Sequence, residues 1–276
     1  IQGGIFFVNG QVRRNPATTA GVLKYNQSGG DLTINGSNSL TSNAKLEILN
    51  AGSEFNMSGG TMTIVRGGGD GTYGDLYLRP ESSTVTGGEI IFNPGGAGDQ
   101  DYLLDATVPL YDLTVNGSGV DDANVELLIS SLELGGDLTL QTATSFLDAN
   151  VNFDIDVTLN GDFINNGSYM HRENHTYFTG GAQSLLGSSS ASFYDLTINL
   201  VTSLTLSGDI TIINDTYINS GTLICGDYTA NALGDVTNNA TYTDNASGIV
   251  LDGTALQFIG GTGTWGQLEL DNSNGA

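Results

Sequence analysis

Apolar residues at every second position, bounded by Gly and Asn, set the pattern of this chain. In Asp31-Leu32-Thr33-Ile34 the alternation is plain, and it returns as DLTV at 112–115, DLTL at 137–140, DLTI at 195–198 and DITI at 209–212. A period of two sends successive side chains to opposite faces of a strand. Leu32 and Ile34, Leu113 and Val115, Leu138 and Leu140, Leu196 and Ile198, and Ile210 and Ile212 are therefore predicted to face a core. Thr33 and Thr114 are predicted to face solvent. No apolar 3–4 spacing persists, β-branched residues abound and Gly interrupts every window, so the pattern predicts strands rather than helices.

The strands recur as longer units. NGDFINNGSY at 160–169 returns as LGDVTNNATY at 233–242, LELGGDLTL at 132–140 as LTLSGDITI at 204–212, and YDLTIN at 194–199 as GQLELD at 266–271. All three offsets are about 73 residues. YDLTVN at 111–116 is an earlier copy, set back further by an insertion around Val120–Ser130. The first part has a shorter beat of about 28–30 residues, with YNQSGGDLTI (25–34) followed by FNMSGGTMTI (55–64) and STVTGGEIIF (83–92). Repetition of this kind predicts stacked units that share one core. The organisation expected is a segment 1–110 on the short beat and a segment 111–276 on the long one. The long segment divides into 111–193, 194–266 and the start of a third copy at 267, all in one continuous rod.

Turn chemistry agrees. Asn35-Gly36, Asn116-Gly117, Asn160-Gly161 and Asn166-Gly167 offer positive φ cheaply, and the Gly-Gly pairs at 29–30, 59–60, 87–88 and 135–136 are expected just before strands. Asn165-Asn166 and Asn238-Asn239 occupy matching repeat positions, where stacked amides would form a ladder. The fold class predicted is all-β, a right-handed parallel β-helix with strands about 4.8 Å apart along the axis. At roughly 20–30 residues per coil the chain makes about ten to thirteen coils, roughly 45–65 Å of rod. The alternative is a tandem of immunoglobulin-like β-sandwiches, since about 73 residues is near the size of such a domain. The short N-terminal beat and the missing Cys pair speak against it.

Composition narrows the partners. Among 276 residues there are 30 acidic and 7 basic side chains, a formal charge of −23. Such a chain repels nucleic acid and anionic membranes. No apolar run approaches the roughly 20 residues of a spanning helix, so no membrane insertion is expected. The single cysteine, Cys225, follows Leu223 and Ile224 and is expected as core filler. The chain starts at Ile1 and stops as another repeat copy begins, so it is expected to be a piece of a longer polypeptide, whose remainder is then one of its partners.

FTGGAQSLLGSSSASFYDLTINLVTSLTLSGDITI at 178–212, the GDxxNNxxY segments and GTALQFIGGTGTWGQLELDNSNG at 253–275 resemble the long repetitive surface proteins of the Bacteroidetes. Those proteins are commonly exported by the type IX secretion system and are often adhesin-like. The resemblance covers about 110–276 and implies a secreted, repetitive, adhesive chain. It carries no chemistry and no site residues.

Candidate chemistry is sparse. His171 and His175 flank Glu173 in HRENH, but on a strand the two rings would stand roughly 13 Å apart, too far for one metal. GGAGDQD at 95–101, with Asp105 beyond, offers Asp99, Asp101 and Asp105 as calcium ligands, although Gln100 holds the place where a calcium β-roll needs Asp. Tyr73 and Trp265 sit at equivalent places in GGDGTYGDLYL and GGTGTWGQLEL and are candidates for sugar stacking; Tyr111 and Tyr194 are a second equivalent pair. Asp121-Asp122 invites comparison with paired-carboxylate glycosidases, yet no basic groove accompanies it. No other cofactor is expected.

The function expected is therefore a non-enzymatic, extracellular rod segment of a large bacterial surface protein, presenting repeated weak contacts to a polysaccharide or other substratum. A carbohydrate-active β-helix enzyme or sugar-binding module is the alternative; a groove holding two or three carboxylates from adjacent coils would mark it. A third is an ice- or crystal-binding solenoid, which requires flat ranks of Thr.

Overall fold

The computed structural model describes residues 1–14, 20–36, 44–69 and 74–276. Every strand pairing among them is parallel, and they contain no helix. The chain is an all-β parallel β-solenoid of about 11 turns. Parallel pairing throughout excludes the sandwich alternative, which needs antiparallel hairpins. At about 4.8 Å per coil the axis is roughly 50 Å long.

The alternation along the sequence becomes columns that run along this axis. Leu32, Met62, Ile90, Leu113, Leu138 and Phe163 are successive lateral neighbours, all buried. Beside them run Ile34, Ile64, Phe92, Val115 and Leu140. On another face Leu132, Val157, Thr176, Leu196, Thr216 and Val236 align. A third face begins later, with Ala191, Ile210, Ala230, Ile249 and Leu268 in register. Each fully buried Leu or Ile contributes about 1.5–3 kcal/mol, and like side chains repeat in each column, so one coil templates the next.

The coils shorten from Asp31 to Asp215 and lengthen again to 23 residues between Asp235 and Phe258. Side-chain bonds between equivalent positions span 30 residues at Thr61–Asp31, 25 at Asp137–Asp112 and 20 at Asp215–Asp195. Long strands such as Leu46–Ile64 and Leu76–Phe92 turn corners without leaving the ladder, and their register slips at the bends. The Gly-Gly pairs at 59–60 and 87–88 therefore lie inside strands at corners, not before them, and Gly60 and Gly88 take φ of +84° and +95° there.

Three sequence expectations change. Of the four Asn-Gly glycines at 36, 117, 161 and 167, only Gly36 has positive φ. Gly117, Gly161 and Gly167 are needed for another reason: a Cβ on each would collide with the backbone of a neighbouring coil, at Thr144, Gly136 and Ser145. Thr114 is on the outer face but only 8% exposed, because its hydroxyl donates to Glu89 Oε1 at 2.6 Å and is covered by it. Asn165 and Asn238 do not stack on each other. Each is buried, accepts the N–H two residues ahead (Gly167 at 3.2 Å, Ala240 at 3.0 Å) and donates to a carbonyl of the next coil (Ser190 at 3.2 Å, Thr264 at 2.9 Å). An amide ladder does occur elsewhere, where Asn56 donates to Asn26 Oδ1 at 3.0 Å.

Candidate functional site

The Asp of the DLT motif has a structural task. From Asp112 onward its carboxylate accepts the backbone N–H of the equivalent residue one coil later, whereas Asp31 accepts the Thr61 hydroxyl. Asp137 N–H donates to Asp112 at 2.8 Å and Asp162 N–H to Asp137 at 2.7 Å; Ser184 N–H then donates to Asp162 at 2.8 Å. A second line runs from Asp195 through Asp215 and Asp235 to the N–H of Phe258. These bonds satisfy corner amides that lie outside the strand ladders. Part of the chain's acidity is thus built into the frame. Asp112 feels the cost: burial, opposed by the Asp137 N–H and helped by the charges of Asp137 and Glu89, holds its carboxyl above the ordinary range.

The cations also belong to the frame. Five ion pairs are present among the described residues: Arg14–Glu47, Lys24–Glu54, Lys45–Asp75, Arg79–Asp105 and Arg172–Asp148. Each joins one coil to its neighbour. Five of the seven basic side chains are committed in this way.

Acids do converge in one place outside these lines. A shallow groove of about 290 Å³ on the flank is lined by Asp101, Glu126 and Asp148, with Asn124 and Met170 among the other walls. The three carboxylates come from three adjacent coils, the strands Gln100–Ala106, Ala123–Leu127 and Ser145–Asp148. Glu126 is the lateral neighbour of Asp148, and Asp101 that of Asn124. The groove is not a set of equivalent acids. Asp148 receives both Nε and Nη2 of Arg172, at 2.7 and 2.5 Å, and the N–H of Asn150 at 2.9 Å. Asp101 accepts the Asn124 amide at 3.0 Å. Burial, with the charge of Asp148 beside it and Asp101 adding, pushes the Glu126 carboxyl up, while Arg172 draws it down. A protonatable Glu beside a charge-paired Asp can donate to a sugar hydroxyl or glycosidic oxygen.

The residues singled out in the sequence are mostly elsewhere. Asp99, Asp101 and Asp105 do not share a site. Asp99 accepts the N–H of Asp122 at 2.9 Å, while Asp105 is buried beneath Arg79 (Nε to Oδ2 at 2.8 Å) and accepts Ser130 N–H at 3.1 Å. No trio of metal-ligating side chains converges among the described residues. Asp122 donates its own N–H to Asp99, and Asp121 donates its N–H to Ser118 Oγ at 2.8 Å, so this pair forms a tight turn. Tyr73 lies outside the described residues. Trp265 is partly buried and packs against the core. His171 and His175 are separated by their partners: His171 Nδ1 meets Arg172 O at 2.6 Å, and His175 Nε2 meets Thr197 Oγ1 at 2.6 Å with its ring stacked between Tyr177 and Tyr217. Cys225 is fully buried, and burial pushes its thiol up to about 12.

Glu126 and Asp148 escape a reading of the sequence. Their proximity depends on coil length, and the only hint is that ANVEL and SFLD are strands of the same alternation. The inward Gln183 and Gln257 escape it as well. Both are 2% exposed, and each bridges two carbonyls of the preceding coil: Leu159 and Gly161 for Gln183, Ala232 and Gly234 for Gln257. Comparison with protein-family models, curated proteins and solved structures returns no match.

Proposed function

We propose that the chain is a stiff, non-enzymatic segment of a large bacterial surface protein that presents repeated weak contacts to an extracellular polysaccharide. One observation carries this reading: backbone ladders, acid corners and ion pairs all run along the axis, so bending strains many bonds together. The spare functional groups are dispersed along the flank, which suits avidity rather than one deep pocket. The resemblance of the GDxxNNxxY segments to type IX secretion substrates of the Bacteroidetes supports a place at the cell surface. Retention on insoluble neutral polysaccharide tests the reading. Two copies fused in tandem should bind on the order of 10²-fold more tightly than one. Equal, saturable binding by one and two copies would mean a single site and defeat the rod as adhesin.

The groove favours a second reading, a carbohydrate-active surface. It meets the mark of that alternative, three carboxylates from adjacent coils. Two of the three are tied to Arg172 and Asn124, which leaves Glu126 without the free partner that a two-carboxylate mechanism requires. Sugar release from polysaccharide that disappears in Glu126→Gln would establish the enzyme. The ice-binding reading loses support at the outer face, where the column Thr33, Thr63, Ile91, Thr114 and Thr139 runs beside the acidic column Asp31, Thr61, Glu89 and Asp112.

A further inference from the structure

The Lys45–Asp75 pair differs from the other four. Both side chains are excluded from solvent, at 1% and 0% exposure, and Nζ lies 3.2 Å from Oδ1. The two groups are held in place from all sides. Asp75 Oδ1 accepts the N–H of Gly69 and Oδ2 that of Leu103, both at 2.8 Å. Asp75 O accepts the N–H groups of Lys45 and Leu46, at 2.8 and 3.0 Å, which fixes the two backbones together. The lysine stem passes so close to Gly36 that a Cβ there would sit 2.9 Å from Cδ. Amine and carboxyl cannot drift apart.

Taking two ions out of water costs several kcal/mol each. Passing one proton from ammonium to carboxylate removes both charges. At Asp75 burial works in that direction, lifting the carboxyl to about 6 against the opposing pull of Lys45 and the two N–H donors. The product is a neutral amine in contact with a carboxylic acid. Each oxygen of that acid already faces a backbone N–H, the arrangement that steadies a tetrahedral oxyanion. Fixed proximity removes most of the entropic barrier to reaction.

We propose that Lys45 and Asp75 condense into an isopeptide bond, a covalent rung between adjacent coils. Nζ bonds to Cγ, and one carboxyl oxygen departs as water. Of the three ammonium protons, one remains on the amide nitrogen and two leave in the water. Charge and atoms balance with no oxidant, metal or cofactor. The new amide carbonyl keeps a backbone donor, and the buried charges are gone. The bond requires only this geometry, so it stands whether or not the rod is an adhesin.

Mass spectrometry of the full chain, held folded near pH 6, tests it. The expected result is the loss of one water from the intact mass, with tandem sequencing of a branched peptide that joins Lys45 to Asp75. Lys45→Arg and Asp75→Ala chains should keep their full mass. An undiminished mass, with linear peptides carrying unmodified Lys45 and Asp75, overturns the proposal. So does a water loss that persists in Lys45→Arg or maps to the Asp-Gly steps at 70–71 or 252–253, where succinimides form. Sequencing the unaltered chain decides the matter even if a variant fails to fold.

Discussion

His175 shows how a single side chain is committed by its neighbours. Its imidazole stacks on Tyr177 at 4.1 Å and on Tyr217 at 6.0 Å, and it covers Thr197. Burial lowers its pKa below the ordinary value, while Asp195, Asp156 and Asp215 pull the other way. The folded state therefore prefers neutral His175. That preference contributes stability above the unfolded value of about 6.5 and is lost as pH falls through the depressed folded value. Urea midpoints of wild type and His175→Gln should diverge between about pH 7.5 and about pH 5, with wild type losing more. Parallel curves would mean that the ring carries its proton equally well in both states. At this scale the sequence is half legible. Alternation alone places Leu32, Ile34, Leu138 and Leu140 inward, and they are buried. The Asp that opens each DLT motif shows in the sequence only as an outward polar residue, because its partner is an amide one coil away and nothing local reveals it.

A coil is the smallest element with a complete set of partners, and its corners are where chemistry overrides hydrophobicity. The inward column Ile34, Ile64, Phe92, Val115 and Leu140 continues into Asn165, which replaces an aliphatic side chain with an amide. Burying an amide there is favourable only because the Gly167 N–H and the Ser190 carbonyl are satisfied. Asn165→Leu should thus destabilise the chain by about 1–3 kcal/mol in urea unfolding, although it extends an apolar column. A gain in stability would show that packing outweighs the corner bonds. Repeat comparison identifies Asn165 and Asn238 as equivalent but assigns them to a ladder. The true partners are backbone groups of the next coil, and reaching them requires the coil lengths that only the fold supplies. The groove has the same obstacle, since Glu126 and Asp148 meet through lateral register and share no motif.

For the whole molecule, the imbalance of charge governs the response to salt. Thirty acids face seven bases, and the five ion pairs among the described residues neutralise few of them. The Asp lines place like charges in successive coils, and the DLT motifs ensure that this recurs along the rod. Raising sodium chloride from about 0.01 to about 0.15 M shortens the Debye length from about 30 to about 8 Å. The urea midpoint should rise, because repulsion among many acids is screened more than the few attractive pairs are weakened. A fall would place more stability in the ion pairs than their number suggests. Fold class, by contrast, is legible from the outset, since alternation, short strands and internal repetition all admit few other closures of the chain.

Because each coil pairs its strands only with those of its two neighbours, the length of such a molecule is quantised. Removing a block from Leu113 to Asp137 would bring Leu138 to the place of Leu113, with an Asp again preceding an inward Leu. On this face the inward partners of Ile90 and Phe92 stay aliphatic, and the axis shortens by one step of about 5 Å. Lineages can therefore tune reach by gaining or losing whole turns, whereas a change of a few residues must be absorbed at a corner.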